Sequence, residues 1–311
     1  MFILGKSRIL LDLEVAAHYL IWNCSIDGSV RWRRMADQAE IYVRFWGVRG
    51  SIAVPGPDTV RYGGNTSCLE VKCGDHTIIF DAGTGLRPFG NELAKSMPVD
   101  LDLFLTHTHF DHVCGLPFFV PFFVPNNTIR VHAGHLGPDL TLRKVLVEMM
   151  MAPLFPVPPS IFQADVTYTD FQFGQTLQPY PDVVLRTAPL NHPNNATGYR
   201  IEFGGKSVCY ITDYEHFEDR RDEVLIDLVK DADYMIYDST YTDEEYEKFQ
   251  GFGHSTWQQG IRVADEAGVG TLVIFHHDPG HDDKSMDNIA KEAEKARPGT
   301  VVAREGMALR P

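Results

Sequence analysis

The chain has 311 residues, of which 44% are hydrophobic, and its 28 basic and 42 acidic side chains give a net charge of −14. This composition excludes fibrous and disordered proteins, and the length allows one or two domains with a large buried core. The acidic balance disfavours a stable nucleic-acid partner, because a long polyanion would meet a repulsive surface field.

The first 40 residues are predicted to be a leader of uncertain structure, followed by one folded domain over residues 41–311. The apolar stretch from Ile9 to Trp22 is interrupted by charged side chains, and no small-residue cleavage site follows it. It is therefore neither a good signal peptide nor a membrane span. We expect residues 1–34 to be loosely attached and dispensable.

The five cysteines are widely spaced and form no C-x-x-C pair. An odd number without regular spacing predicts reduced thiols rather than a disulfide framework. We therefore expect a cytoplasmic protein that does not associate with a membrane.

Runs of β-branched and aromatic residues predict strands along the whole domain. The predicted strands are Ile41–Gly47, Cys68–Cys73, Thr77–Asp81, Asp102–Thr106, Thr128–His132, Val183–Ala188, Thr197–Phe203, Lys206–Thr212, Tyr234–Asp238 and Thr271–Phe275. The pairs Gly74-Asp75 and Gly204-Gly205 predict hairpin turns between neighbouring strands.

Helical patterns are concentrated in the second part of the chain. The predicted helices are Asp139–Met150, Arg221–Lys230, Thr256–Glu266 and Lys284–Arg297. Ser255, followed three residues later by Gln258, has the capping-box signature for the third of these helices. Strands in both halves with helices outside them predict an α+β fold, a four-layer αββα sandwich with two sheets packed face to face.

The run His107-Thr108-His109-Phe110-Asp111-His112 places four potential metal ligands where the strand Asp102–Thr106 leaves its sheet. Side chains two apart on extended backbone point the same way, so His107 and His109 can hold one ion while Asp111 and His112 face a second. Neutral imidazole and carboxylate suit Zn²⁺ first, with Mn²⁺ or iron as alternatives. The sequence therefore predicts a site for two divalent metal ions.

The remaining ligands are predicted at later strand ends, where His192, Asp213 and His276 each follow an apolar run. Asp213 can bridge the two ions. The predicted sets are then His107, His109 and His192 for one ion, and Asp111, His112 and His276 for the other. His277 is the alternative to His276, which is preferred because it ends the strand directly.

An H-x-H-x-D-H run followed by a separate His, Asp and His resembles the metallo-β-lactamase superfamily of hydrolases, and the resemblance extends from about Ile41 to the C-terminus. The segment Phe80–Gly85 matches the strand-end Asp-Gly element beneath the metals, which adds Asp81 to the site. Gly253-His254-Ser255-Thr256 resembles the G-H-S-T motif of the ribonuclease Z and cyclic-phosphodiester branch. In that branch an acidic residue pairs with the motif's His, and Asp238 occupies its place, where relatives usually carry Glu.

The predicted chemistry is hydrolysis at phosphorus. Two divalent ions outweigh the charges of Asp111 and Asp213, which favours an anionic substrate. Ions about 3.5–4 Å apart can activate a shared water and clamp the oxygens of an in-line displacement. His254, oriented and kept protonated by Asp238, is the predicted proton donor to the leaving alkoxide. The predicted catalytic residues are Asp81, Asp111, Asp238 and His254.

The leading expectation is a metal-dependent phosphodiesterase acting on a small cyclic phosphodiester, such as a cyclic nucleotide. The segments Trp46–Ser51 and Gly63–Ser67 resemble small cyclic-phosphodiester enzymes of this fold. The runner-up is a ribonuclease Z-like tRNA 3′-end endonuclease, ranked second because nothing here matches a long Gly/Pro-rich arm. A thioester or lactone hydrolase and a non-catalytic metal-stabilised sensor rank below these two.

Three further residues are predicted to contact the substrate: Arg49, Asn65 and Phe155. Arg49 could bind a phosphate or serve as a structural loop residue. The aromatic and proline-rich runs Pro117–Pro125 and Met149–Pro156 could stack a base, or they could form core or dimer contacts. The resemblance also implies a homodimer.

Overall fold

The computed structural model describes residues 20–24, 30–34 and 40–311. Strands β1 (Leu20–Cys24) and β2 (Val30–Arg34) form an antiparallel two-stranded sheet of their own. The next strand, β3, begins at Ile41, where the domain is predicted to start. The division into a leader and a domain stays a prediction.

A chain that starts at Glu40 is expected to unfold at the same temperature as the full chain, because β1 and β2 pair with each other and with neither larger sheet. Thermal melts of both chains, followed by circular dichroism, measure this. A lower midpoint or precipitation of the shortened chain would show that the leader supports the domain.

Two seven-stranded sheets form the centre of the domain. The first contains β3 (Ile41–Gly47), β4 (Cys68–Cys73), β5 (His76–Phe80), β6 (Asp100–Leu105), β7 (Thr128–Ala133), β8 (Asp165–Asp170) and β16 (Ala308–Leu309), in the order β16-β3-β4-β5-β6-β7-β8. The second contains β9 (Thr176–Tyr180), β10 (Val183–Leu190), β11 (Ala196–Phe203), β12 (Lys206–Ile211), β13 (Tyr234–Asp238), β14 (Thr271–Phe275) and β15 (Val301–Val302), in the order β15-β14-β13-β12-β11-β10-β9.

Each sheet is antiparallel in one half and parallel in the other. The parallel halves are β5 to β8 in the first sheet and β12 to β15 in the second. Parallel strands end at the same edge of a sheet, and ligands commonly bind outside those carboxyl ends. The residues that follow β5, β6, β12 and β14 are therefore grouped by the topology itself.

Seven α-helices lie among the described residues. They are α1 (Leu86–Leu93), α2 (Phe110–Val113), α3 (Leu142–Met149), α4 (Glu223–Val229), α5 (Asp243–Phe249), α6 (Trp257–Glu266) and α7 (Asp283–Ala296). None of the helices in this part of the chain is long and apolar enough to cross a membrane.

Three apolar cores separate the layers. The central core lies between the sheets and includes Phe45, Phe80 and Phe275. A second core packs α1 and α3 on the first sheet, and a third packs α4, α6 and α7 on the second. The predicted four-layer αββα sandwich is confirmed.

Several elements were not predicted, and their composition explains why. Helix α1 contains Pro88 and Gly90, which have low helix propensity. Gly90 is suited to its place, because an added Cβ would lie 2.8 Å from the ring of Phe119. Helix α5 is strongly acidic, although its capping box, Thr242 with Glu245, is visible in the sequence. Strands β8 and β9 lack a buried run because their side chains are exposed or half-buried.

The predicted cap of α6 is wrong by one residue. The N-cap is Thr256, whose Oγ1 accepts a hydrogen bond from the backbone N–H of Gln259 at 3.0 Å. The hydroxyl of Ser255 lies instead 3.0 Å from the hydroxyl of Tyr237 and 2.8 Å from Nδ1 of His216. Ser255 therefore ties α6 to β13 and does not cap the helix.

Candidate metal centre

Three predicted site residues lie just past the ends of β5, β12 and β14 in left-handed backbone. The φ angle is 59° at Asp81, 56° at Asp213 and 61° at His276. This conformation costs a non-glycine residue on the order of 1–3 kcal/mol and is concentrated at functional sites. The surrounding structure therefore holds three neighbouring strand ends in a strained geometry at one edge of the sandwich.

His107, His109 and His192 form the first group, which we call the three-histidine set. A ring nitrogen of each lies within 4.8 Å of the others, and Nε2 of His192 is 3.1 Å from Nδ1 of His109. Nε2 of His109 contacts Oδ1 of Asn194 at 3.2 Å, which leaves Nδ1 facing the set.

Asp111, His112, Asp213 and His276 form the second group, which we call the mixed set. All four side chains are buried, and one ligand atom of each lies within 4.8 Å of the others. Asp111 and His112 lie on α2, which directly follows His107 and His109 of the three-histidine set. The one-turn helix thus turns the second half of the motif toward a separate position, as the spacing predicts.

The carboxylate of Asp213, a member of the mixed set, also faces the three-histidine set. Its Oδ1 is 3.7 Å from Nε2 of His107 and 3.6 Å from Nε2 of His192. Its Oδ2 is 3.1 Å from Nε2 of His112 and 3.2 Å from Nε2 of His276. One oxygen faces each set, which is the arrangement a bridging carboxylate needs.

The donor atoms fit divalent cations. Nε2 of His107, His112 and His276 is buried without a hydrogen-bond partner, and an unsatisfied buried polar group costs about 1–3 kcal/mol. Burial holds the pKa of His107 well below its usual value, which keeps that ring neutral. Burial opposes ionisation of Asp213, but the nearby His112 and His276 hold its pKa well below the usual range. Burial opposes protonation of His112, but the surrounding carboxylates raise its pKa well above the usual value, so this ring releases a proton when it binds a metal. Neutral imidazole with ionised carboxylate is the chemistry of zinc ligands.

Hydrogen bonds made by Nδ1 of three histidines leave Nε2 as the free ring nitrogen. Nδ1 of His112 donates to Oδ2 of Asp81 at 2.8 Å, and Nδ1 of His192 donates to the carbonyl of Gly253 at 2.7 Å. Nδ1 of His276 lies 3.0 Å from the hydroxyl of Thr240. Each Nε2 is then left to bind a metal, because partners of this kind orient ligating histidines.

Asp81 acts behind His112 and is buried away from solvent. Its carboxylate also accepts hydrogen bonds from Thr106 and from the hydroxyl of Tyr210. Because the side chain of Asp81 contacts the candidate ligand His112 and is buried, we expect this predicted catalytic residue to act by positioning that ligand.

Asp81→Asn is expected to weaken metal affinity by about 10- to 100-fold, the usual cost of losing a partner of a ligating histidine. The partners of this carboxylate donate to it, so the amide NH2 group would face a donor. Competition with a chromophoric chelator measures the affinity. Asp102→Asn is the matched control, because this buried carboxylate also binds a histidine, His132, at 2.7 Å. Equal affinities in wild type and Asp81→Asn would contradict the role.

Asp238 and His254 form the predicted pair. Nδ1 of His254 donates to Oδ2 of Asp238 at 2.9 Å, so the shorter acidic side chain reaches its partner. Asp238 is fully buried and also accepts from the backbone N–H of Tyr214 at 3.1 Å and from Thr240. Burial opposes the imidazolium charge, but the adjacent carboxylate raises the pKa of His254 to about 9.

His254 lies against both ligand sets. Its ring centroid is 5.0 Å from that of His276 and 5.4 Å from that of His192. Its side chain is 12% exposed, whereas those of His276 and His192 are 0% and 3% exposed. The side chain of His254 is thus more accessible than those of His276 and His192.

The side chains of the three predicted substrate contacts bind groups other than the metal ligands. Arg49 is fully buried and donates to backbone carbonyls. The amide of Asn65 donates to Glu305 at 3.0 Å. The ring of Phe155 packs on Phe118, with centroids 5.7 Å apart. Nε and Nη1 of Arg49 bind backbone carbonyls, which favours the structural loop role, while its Nη2 is buried without a hydrogen-bond partner.

His276 and His277 point to different places. Nε2 of His276 faces Asp213, whereas Nε2 of His277 donates to the carbonyl of Ala303 at 2.9 Å. The geometry agrees with the preference for His276.

Sequence reasoning missed the segment before β4. The backbone N–H of Ser51 donates to Oδ2 of Asp111 at 2.8 Å. Gly50 lies against the ring of His276, where an added Cβ would come within 2.4 Å of a ring carbon. Almost any residue can supply a backbone donor, so the contact of Ser51 cannot be read from residue types. The sequence signal for this segment was the resemblance of Trp46–Ser51 to small cyclic-phosphodiester enzymes.

Comparisons with known proteins identify the family and the fold. Residues 76–277 match the family model described as a beta-lactamase superfamily domain. A ribonuclease Z of Myxococcus xanthus is 33% identical over 297 residues, which cover 79% of this chain and 92% of the relative. A ribonuclease Z of Haloarcula marismortui is 24% identical over 316 residues, covering 86% of this chain and 96% of the relative. The metallo-beta-lactamase fold protein YhfI from Bacillus subtilis superposes with a TM-score of 0.65 at 21% identity, covering 88% of this chain and 100% of that one.

The four-layer sandwich and the ligand sets at its strand ends define a metal-dependent hydrolase. The metal ions are divalent by the chemistry of their donors. The chain belongs to the metallo-β-lactamase superfamily and, within it, to the ribonuclease Z branch.

Proposed function

We propose that this hydrolase cleaves phosphodiesters with two divalent ions, Zn²⁺ first, held by the three-histidine set and the mixed set. The observation that carries the proposal is the position of Asp213, whose two oxygens face the two sets separately. Paired divalent ions lower the pKa of bound water and neutralise the charge that develops at phosphorus.

The residues around the ions divide the remaining work. Asp111 and Asp213 keep the centre from carrying the full charge of the ions. His254, with Nδ1 held by Asp238, has its proton on Nε2 available for the leaving oxygen. General-acid help of this kind contributes typically about 10² to 10⁴ in rate. Asp238 stabilises the imidazolium and keeps the ring in one orientation.

Relatives favour RNA as the substrate class. The Myxococcus xanthus relative is a ribonuclease Z and is matched over 92% of its length. This supports the ribonuclease Z-like hypothesis, cleavage at a tRNA 3′ end, above the small cyclic phosphodiester that the sequence alone put first. It also weakens the prediction that the protein has no stable nucleic-acid partner, although an RNA substrate would bind only transiently.

A small cyclic phosphodiester is the second candidate, and the net charge of −14 favours it. Long polyanions are repelled by such a surface, whereas a small anion is drawn to the local charge of the ions. The two candidates share one chemistry at the same centre and differ in how the rest of the substrate is recognised.

Turnover assays separate these hypotheses. Bis-p-nitrophenyl phosphate should be hydrolysed by the metal-loaded protein and not after chelation, whereas a thioester and a cephalosporin should not be hydrolysed. A precursor tRNA with a 3′ trailer is then compared with a panel of cyclic mononucleotides and dinucleotides. Cleavage of the trailer supports the first candidate, and selective opening of one cyclic phosphate supports the second. Failure on every phosphodiester would reject the proposed chemistry.

We also propose that the protein is a homodimer. The side chains of Phe118, Met151 and Leu154 are 53%, 52% and 82% exposed, and such apolar surface commonly marks a protein contact. Light scattering at several concentrations measures the mass in solution, and a monomer throughout would refute the assembly.

A further inference from the structure

Arg49 connects two loops at the metal centre. Its Nε donates to the carbonyl of Gly63 at 2.7 Å, and its Nη1 donates to the carbonyls of Asp278 and His281 at 3.1 and 2.6 Å. The first acceptor precedes β4, and the other two follow the ligand His276. A fully buried guanidinium with these acceptors fixes the distance between the loops.

The backbone around Arg49 reaches two ligands of the mixed set. The N–H of Gly50 donates to the carbonyl of His277 at 3.0 Å, and the N–H of His277 donates to Val48 at 2.9 Å. The next N–H, of Ser51, donates to Asp111. A shift of this segment would therefore move His276 and release Asp111, without touching the three-histidine set directly.

Glu215 supports a ligand of the three-histidine set, as Arg49 supports ligands of the mixed set. Its carboxylate accepts from the backbone N–H groups of Gly251 at 2.6 Å and Gly253 at 2.8 Å. The carbonyl of Gly253 in turn accepts from Nδ1 of His192. The backbone N–H of Glu215 donates to the carbonyl of Asn191 at 2.8 Å, and the Asn191 amide returns a bond of 2.7 Å.

Gly253 makes this contact possible, since its φ is 89° and an added Cβ would lie 2.4 Å from Nδ1 of His192. The loop must approach the ligand this closely for its carbonyl to hold the ring. Glu215 keeps the loop there by binding two of its N–H groups.

We infer that Arg49 and Glu215 are positioning residues for different ions, Arg49 for the ion of the mixed set and Glu215 for the ion of the three-histidine set. The inference rests on the proposed two-ion centre. Each residue acts through a ligand and its loop and contacts no ion itself.

Arg49→Lys and Glu215→Gln test the assignment with little change in volume. Lysine keeps the charge but lacks the fork that serves three carbonyls, and glutamine sets an NH2 group against a backbone N–H. Each variant is expected to lose about 10- to 100-fold in affinity for one of the two Zn²⁺ ions. Stepwise Zn²⁺ titration against a competing chelator resolves the two affinities.

Arg200→Lys and Glu202→Gln are the matched controls. Arg200 also donates to two backbone carbonyls, those of Leu228 and Lys230, and pairs with Glu202 at 2.7 Å. The two carbonyls lie at the end of α4 and Glu202 lies on β11, so none of these partners is a member of either ligand set. Both controls should bind both ions like the wild type.

Backgrounds that lack one ion identify which site each residue serves. In His276→Ala, which removes a ligand of the mixed set, adding Arg49→Lys should leave the remaining affinity unchanged, whereas Glu215→Gln should weaken it. In His109→Ala, which removes a ligand of the three-histidine set, adding Glu215→Gln should leave the remaining affinity unchanged, whereas Arg49→Lys should weaken it. Interaction energies from such cycles isolate a pairwise contribution. Equal losses in both backgrounds, or no loss in either, would overturn the assignment.

The unfolding temperature of each variant in excess chelator separates positioning from folding. Unchanged apo-protein melts with selective ion loss support the inference. If Arg49→Lys does not fold, Arg49→Met is measured in the same way, and loss of the fold by both would make Arg49 a folding residue and overturn its role. Because the readout is ion binding, a protein that binds two ions but hydrolyses no phosphodiester would refute the proposed function and leave this inference standing.

Discussion

Replacing Asp213 with alanine is expected to remove both ions and abolish turnover. Its two oxygens each face one ligand set at 3.1 to 3.7 Å, so the substitution deletes a ligand from both. The loss also removes the carboxylate beside the buried ring of His107 and leaves Asp111 as the carboxylate nearest to Nε2 of His112 and His276. Removing one partner of a buried charged group typically costs about 3–5 kcal/mol.

Metal binding and stability should be lost together. A ligand that binds only the folded state stabilises it by about 4 kcal/mol when its free concentration is 1,000 times its dissociation constant. The wild type should therefore melt at a higher temperature with Zn²⁺ than with chelator, and Asp213→Ala should melt at one temperature under both conditions. Elemental analysis gives the ion content of the same samples.

Asp233→Ala is the control for a general effect of removing a carboxylate. Asp233 lies next to the start of β13, at the opposite end of the parallel strands, and binds Lys206 and Ser207. It should retain both ions. Full metal occupancy in Asp213→Ala would show that this residue does not bridge the ions.

The ligand positions could be predicted from the sequence because each follows an apolar run that forms a strand. The parallel strands β12 and β14 end at one edge, which brings Asp213 and His276 together there. Two antiparallel pairings separate β10 from β12, so β10 runs in the same direction and His192 reaches the same edge. The same local patterns predicted the sandwich. The sequence pattern could not predict which groups hydrogen-bond to each ligand, because those partners come from loops far apart in the chain.

Arg49 shows why residue type alone misleads. A guanidinium binds a phosphate or several carbonyls with the same donors, and only burial decides between them. The cap of α6 has the same ambiguity, since Ser255 and Thr256 each precede a glutamine by three residues. The hydroxyl of Ser255 is occupied by Tyr237 and His216, which a one-dimensional pattern does not reveal.

His254→Ala is expected to keep both metal ions and to lower phosphodiester turnover by about 10² to 10⁴, the usual contribution of a general acid. His254 belongs to neither ligand set, and its partner Asp238 is held independently by Tyr214 and Thr240. The centre should therefore survive the substitution. Rate measurements with elemental analysis on the same preparation check both halves of the prediction.

The leaving group makes this test specific to proton donation. A p-nitrophenolate leaves without much help, whereas a ribose alkoxide requires a proton, so the loss in His254→Ala should be far larger for a nucleotide diester than for bis-p-nitrophenyl phosphate. His216→Ala is the matched control, because this neighbouring histidine is bound to Ser255 and lies outside both ligand sets. An equal loss on both substrates would indicate displaced ligands instead, and an unchanged rate on both would remove the donor role. Asp238→Asn should give a smaller loss with the same dependence on the leaving group, since the ring remains but its charge is no longer stabilised.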